Sequence, residues 1–162
     1  MKALRIVGAA TLAVFVLVAW RTRDFSPPLV ALQFTFTPAS FDRIVAGWSA
    51  DQLRRFREHL VLDYALLLGY GTFGWLLVTR TQVFAATTRA LRGFARWMTS
   101  AAAACDALEN VLEAMLVGSA QPGLGRAWLH ALAGTISSTK WMLLLGFCAV
   151  TAAAWRGRRA HA

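Results

Sequence analysis

Four stretches of this chain are so long and so apolar that only lipid, or one another, can solvate them. No other feature narrows the fold as far. They run over residues 6–20, 60–79, 97–119 and about 131–155. A bilayer-spanning helix takes about 20 mostly apolar residues. The first block is short and reaches that length with its flanks. Lipid leaves no peptide group unpaired, so only helices or closed barrels cross it. None of the blocks alternates with the period of a barrel strand. The expected fold is therefore all-α: a four-transmembrane-helix bundle forming a single membrane domain over residues 1–162.

Composition agrees. Hydrophobic residues make up 57% and charged residues 15%, against about a quarter charged in a soluble domain. The net charge of +9 does not point to nucleic acid, because the basic residues flank apolar blocks instead of interleaving with aromatics on a polar element. Trp20, Trp97, Trp128 and Trp155 stand at block ends, where an interfacial belt forms, and Trp141 lies deep in the fourth block. Cys105 and Cys148 each sit inside an apolar block with no C-x-x-C spacing. They are expected to be two small buried side chains, with neither redox nor zinc chemistry.

Block one has the basic start and apolar core of a signal peptide. Val18-Ala19-Trp20-Arg21 is a poor cleavage site, and an uncleaved anchor is expected. The connection between blocks two and three carries Arg80, Arg89, Arg92 and Arg96 and no acid, and the tail carries Arg156, Arg158 and Arg159. The connection before block four has Arg126 alone. The positive-inside rule then places both termini and the second connection in the cytoplasm.

Residues 21–59 are too many for a plain connection and are expected to form a partly helical extracytoplasmic cap. Val30, Leu32, Phe34 and Phe36 alternate with Ala31, Gln33 and Thr35, a strand-like period that predicts an extended segment lying on the bundle. Thr37-Pro38 starts a short amphipathic helix over 38–47, with Phe41, Ile44, Val45 and Trp48 as its apolar stripe. Ser49 and Gln52 fit a capping box, so a helix is expected from residue 50 into the second span. The run Arg54, Arg55 and Arg57 reads as interfacial charge.

Block three carries the chemistry. At about 100° per residue, Asp106, Glu109, Asn110 and Glu113 share one helix face. Three acids facing lipid would cost on the order of 8 kcal/mol, more than the neighbouring leucines and valines return. The face must point into the bundle. Block two offers His59, Asp63 and Tyr70 on one face, and block four offers His130, Ser137 and Lys140. With about 1.5 Å rise per residue, Glu109, Lys140, Glu113 and Asp63 fall in one layer in the outer half of the membrane. The candidate cluster is thus Asp63, Tyr70, Asp106, Glu109, Asn110, Glu113 and Lys140. A Glu109–Lys140 ion pair that fixes helix register explains it as well as a proton site, a cation site or an acid/base pair does. Tyr70 and Asn110 read as hydrogen-bonding members, and His59 and His130 as surface histidines. Glu109, Glu113, Asp63 and His59 are of ligating type, but no compact metal signature links them, so neither metal nor cofactor is expected. Gly69, Gly71, Gly74, Ala101 to Ala104 and Gly134-x-x-x-Ser138 read as close helix packing.

Trp48, Arg57-x-x-Leu60-x-Leu62-Asp63-Tyr64, Tyr70, Asp106-x-x-Glu109-Asn110 and Lys140-Trp141 together resemble a group of small bacterial four-helix integral membrane proteins. The resemblance implies the architecture and a bacterial inner membrane, with no substrate. Three functions are open on this reading. One is a non-enzymatic bundle, serving as an accessory or ligand-binding protein. Another is a membrane-embedded acid/base enzyme on a lipid-like substrate, with Glu109 or Asp106 as acid/base and Lys140 as electrostatic stabiliser. The last is a proton- or cation-coupled carrier. The expected partners are membrane lipids and either a membrane protein or a second copy of the chain.

Overall fold

A computed structural model describes residues 1–118 and 127–160. Ser119 and Arg126 lie outside the described residues. Among those described there are six helices and no strand: α1 (Lys2–Thr22), α2 (Leu29–Leu32), α3 (Pro38–Ala46), α4 (Ala50–Arg80), α5 (Arg89–Gly118) and α6 (Ala127–Ala160). Three of them, α1, α4 and α6, are long and apolar enough to cross a membrane. Helix α5 is as long, at 30 residues, but Asp106, Glu109 and Glu113 interrupt its apolar run.

Local chemistry sets the helix starts. Thr37 Oγ1 accepts from the Ser40 amide at 3.3 Å, and Pro38 occupies the first turn of α3, where its missing N–H costs nothing. Ser49 Oγ accepts from the Gln52 amide, and Gln52 Oε1 accepts from the Ser49 amide at 2.8 Å. This is a complete capping box. Helix α5 starts eight residues before the third apolar block, where Thr88 Oγ1 accepts from the Leu91 amide at 3.3 Å.

The expected extended segment over residues 30–36 is not extended. Residues Leu29–Leu32 form one helical turn, closed by Thr35 N–H donating to Leu32 O at 3.0 Å and Thr35 Oγ1 donating to the same oxygen at 2.7 Å. No second strand is at hand among the described residues to pair with an extended chain, so the peptide groups bond locally instead. Leu32 turns inward, while Val30, Phe34 and Phe36 are exposed.

Helix α4 packs on α1 and α5, and α5 packs on α6. Two apolar cores result. The one at the end that carries α2 and α3, called the cap for its position alone, joins Phe25, Leu32, Phe41, Trp48, Phe56 and Leu60 to Leu112, Leu116 and Leu129. Here Phe25 meets Trp48 edge-on at 5.1 Å, and Trp48 Nε1 donates to Pro27 O at 2.9 Å. The core at the opposite end comprises Val78, Val83, Phe84, Ala95, Met98, Phe147 and Ala154. The cap is also tied to α6 through Trp141 Nε1, which donates to Gln33 Oε1 at 2.9 Å. Arg55 clamps Asp24 with two bonds of 2.8 Å and holds its carboxyl below the usual carboxylate range. Arg21 pairs with Glu58.

Close approach explains one glycine in particular. A Cβ on Gly74 would lie 2.2 Å from Thr99 Oγ1 and 2.7 Å from Thr99 Cβ, so α4 and α5 touch there only because the side chain is absent. The outer surface is apolar on every long helix: Leu12 and Phe15 on α1, Val61 and Leu68 on α4, Leu108, Val111 and Met115 on α5, Met142 and Leu145 on α6 are all exposed.

Candidate functional site

Between the two apolar cores lies a polar layer contributed by α4, α5 and α6. Asp63, Asp106, Glu109, Asn110, Glu113, Ser137 and Lys140 are all buried. Helical spacing puts the α5 members on one face, and packing against α4 and α6 turns that face inward.

Lys140 is the hub. Its Nζ lies 2.8 Å from Asp106 Oδ1 and 2.7 Å from Glu109 Oε2. The Asp106 contact is a hydrogen bond. The Glu109 contact is an ion pair out of hydrogen-bond alignment: neither Glu109 oxygen has a hydrogen-bond partner among the described residues, although the residue is fully buried. Asp106 is held from the other side by Tyr70, whose hydroxyl donates to Oδ2 at 2.8 Å. Asn110 Nδ2 donates to Asp63 Oδ2 at 2.8 Å. Every one of these bonds crosses from one helix to another. Glu113 is buried without a hydrogen bond or ion pair among the described residues. The layer thus holds four carboxyl groups, Asp63, Asp106, Glu109 and Glu113, against the one ammonium of Lys140.

The sequence-predicted residues are therefore brought together, with one change of partner: Lys140 bridges Asp106 and Glu109, where a simple Glu109 pair was expected. Two of the bland readings are corrected. His130 is buried, not at the surface, because Phe41 of the cap covers it edge-on at 4.9 Å. Cys148 is exposed and Cys105 half-buried, because an apolar run does not say which of its residues face the neighbouring helices. His59 is half-buried, and its Nδ1 lacks a partner among the described residues. No three acids, histidines or cysteines among the described residues are grouped as a metal ion would need.

Sequence reasoning missed an open groove of about 540 Å³ between α4 and α5 at the cap end. Phe56, Leu60, Val61, Val111 and Met115 give it apolar walls, Asn110 reaches it from the polar layer, and Arg57 stands among its lining residues. Only the helix pairing reveals such a groove, since its walls come from residues some fifty positions apart. Comparisons with family models, curated proteins and solved structures give no match.

Proposed function

We propose that the chain is a non-enzymatic integral membrane protein of four spans, in which the polar layer locks α4, α5 and α6 in register. It serves as an accessory or ligand-binding protein. In this reading α5 is the fourth span, its acids turned inward and its exposed Leu108, Val111 and Met115 turned to lipid. Residues 21–59 form the extracytoplasmic cap, and both termini face the cytoplasm of a bacterial inner membrane, as the charge of the 80–96 connection and the sequence resemblance suggest. The observation that carries the reading is Lys140 of α6 within 2.8 Å of Asp106 and 2.7 Å of Glu109 on α5. A cation placed there serves helix association directly, without any ligand.

The test is compensation. Replacing a whole buried ion cluster with neutral residues is often neutral or stabilising, whereas removing one partner costs about 3–5 kcal/mol. Asp106→Asn, Glu109→Gln and Lys140→Met combined should unfold in mixed micelles near the wild-type midpoint, while Lys140→Met alone falls well below it. A combined variant as weak as the single one sinks the lock. Labelling of single cysteines placed at Asp42 and at Thr88, from the two sides of sealed vesicles, reads the orientation.

A membrane-embedded acid/base enzyme acting on a lipid-like substrate is the second reading. The α4/α5 groove favours it, because Asn110 links the apolar walls to Asp63. The carrier reading gains nothing from the structure, since Val78, Phe84 and Phe147 fill the end of the bundle that a water path would cross.

A further inference from the structure

A second groove, of about 340 Å³, opens between α4 and α5 at the end opposite the cap. Arg89, Arg92 and Arg96 line it, with Val78, Thr79 and Gly93. The three arginines follow at steps of three and four residues, so they stand on one stripe of α5. None of them has an ion pair with a carboxylate among the described residues, although Arg96 stacks over the Trp97 ring at 5.3 Å, while Arg54 and Arg55 at the other end pair with Asp24, Asp51 and Glu58. The positive-inside rule asks only for basic residues somewhere on this side. It does not ask for three guanidiniums around one hollow.

The same stripe continues into a different surface. Ser100, Ala103, Ala104 and Ala107 follow Arg96 on α5, and with Leu67, Leu68, Gly71 and Thr72 of α4 they line a further furrow of about 310 Å³. From Arg96 to Ala107 the rise is about 16 Å at 1.5 Å per residue. That is about the depth of one leaflet of a hydrocarbon core about 30 Å thick. A cationic hollow in line along α4 and α5 with an open apolar furrow matches one kind of molecule.

We infer that the α4/α5 seam binds an anionic phospholipid, its phosphate held by Arg89, Arg92 and Arg96 and one acyl chain laid in the furrow beside Gly71, Ala103 and Ala104. Guanidinium groups suit the task because they bind phosphate oxygens in pairs and stay charged at any working pH. The inference rests on the membrane reading above and adds a ligand to it.

Native mass spectrometry of the detergent-solubilised protein, titrated with phosphatidylglycerol and with phosphatidylcholine, tests it. Wild type should hold phosphatidylglycerol well above phosphatidylcholine. An arginine near an anionic headgroup contributes about 1 kcal/mol, or about fivefold. Arg92→Gln should therefore lose about fivefold, and the Arg89→Gln, Arg92→Gln, Arg96→Gln variant about a hundredfold. All three side chains are exposed, so the changes do not threaten folding. Arg156→Gln with Arg158→Gln, which removes two charges outside the groove, should keep the preference and is compared with Arg89→Gln, Arg92→Gln, which removes two charges inside it. Ala104→Trp, which fills the furrow and leaves the arginines, should weaken phosphatidylglycerol as well. Equal losses in the Arg156/Arg158 control, no loss in the triple variant, or displacement of the lipid by millimolar inorganic phosphate alone would overturn the site. Resistance to alkaline extraction is scored separately: protein that leaves the membrane there sinks the membrane reading itself, whereas protein that stays without lipid preference sinks only this site.

Discussion

Replacing Lys140 with methionine removes the one ammonium from a layer that holds four carboxyl groups. Lys140 is 3% exposed, and methionine has a stem of similar length and no charge, so packing changes little and charge changes entirely. Asp106 keeps the Tyr70 hydroxyl at 2.8 Å. Glu109 loses its ion pair and keeps only the neighbouring Ser137 hydroxyl, which its oxygens do not meet in hydrogen-bond alignment. The cheapest response is for Glu109 to take up a proton. Measured from the unfolded chain, where a glutamate titrates at about 4.3, a proton held in the folded variant costs about 4 kcal/mol at pH 7 and about 1 kcal/mol at pH 5, at 1.36 kcal/mol per pH unit. The first figure falls within the range of about 3–5 kcal/mol for breaking a buried pair. Unfolding by sodium dodecyl sulfate in mixed micelles, followed by tryptophan fluorescence at both pH values, should show a loss of about 4 kcal/mol that shrinks to about 1 in the more acidic buffer. A loss below about 1 kcal/mol at pH 7 would show that Lys140 is not the counter-charge of this layer. A loss of equal size at both pH values would assign the effect to packing and refute the electrostatic account.

Two further outcomes are expected. Gly74→Ala should destabilise by about 1–3 kcal/mol through overpacking, because its new Cβ would lie 2.2 Å from Thr99 Oγ1; combining it with Thr99→Ala should restore part of the loss in the same unfolding assay. Asp24 has its carboxyl held below the usual range by Arg55. A depressed acid supports the fold above the unfolded-state pKa and loses that support as pH falls through its own lower value, so hydrogen-exchange protection factors in residues 24–36, taken against the intrinsic rate at each pH, should fall at acidic pH in wild type and depend less on pH in Arg55→Gln.

Much of this architecture was written in local patterns. The capping residues Thr37, Ser49 and Gln52 announced the starts of α3 and α4 because a helix terminus needs those groups whatever surrounds it. The facing of Asp106, Glu109, Asn110 and Glu113 followed from helix period and from the cost of charge in lipid, and it brought Lys140 and Asp63 to the same layer by depth alone. What stayed hidden depends on which surfaces meet. The alternation over Val30 to Phe36 resembles a strand, but period two is also what one buried leucine between two exposed apolar residues produces in a turn. The covering of His130 by Phe41, the bond from Trp141 to Gln33 and the grooves along the α4/α5 seam belong to tertiary packing, and no window of neighbouring residues contains them. Choosing Glu109 over Asp106 as the lysine's partner was a question of rotation within one turn, which depth does not resolve.

The acid-rich face of α5 and its counter-charge lie on different helices, and the ribosome delivers them in order. When α5 reaches the insertion channel, α4 offers its acids only the Tyr70 hydroxyl, at Asp106, and Lys140 of α6 has not yet entered the channel. Each uncompensated acid costs about 2.5–3.5 kcal/mol on the insertion scale, so this helix has little drive to dissolve in lipid by itself. It gains that drive when α6 arrives. On the four-span reading proposed above, α5 and α6 therefore enter the bilayer as one hairpin, with α5 waiting at the lateral exit until its lysine arrives.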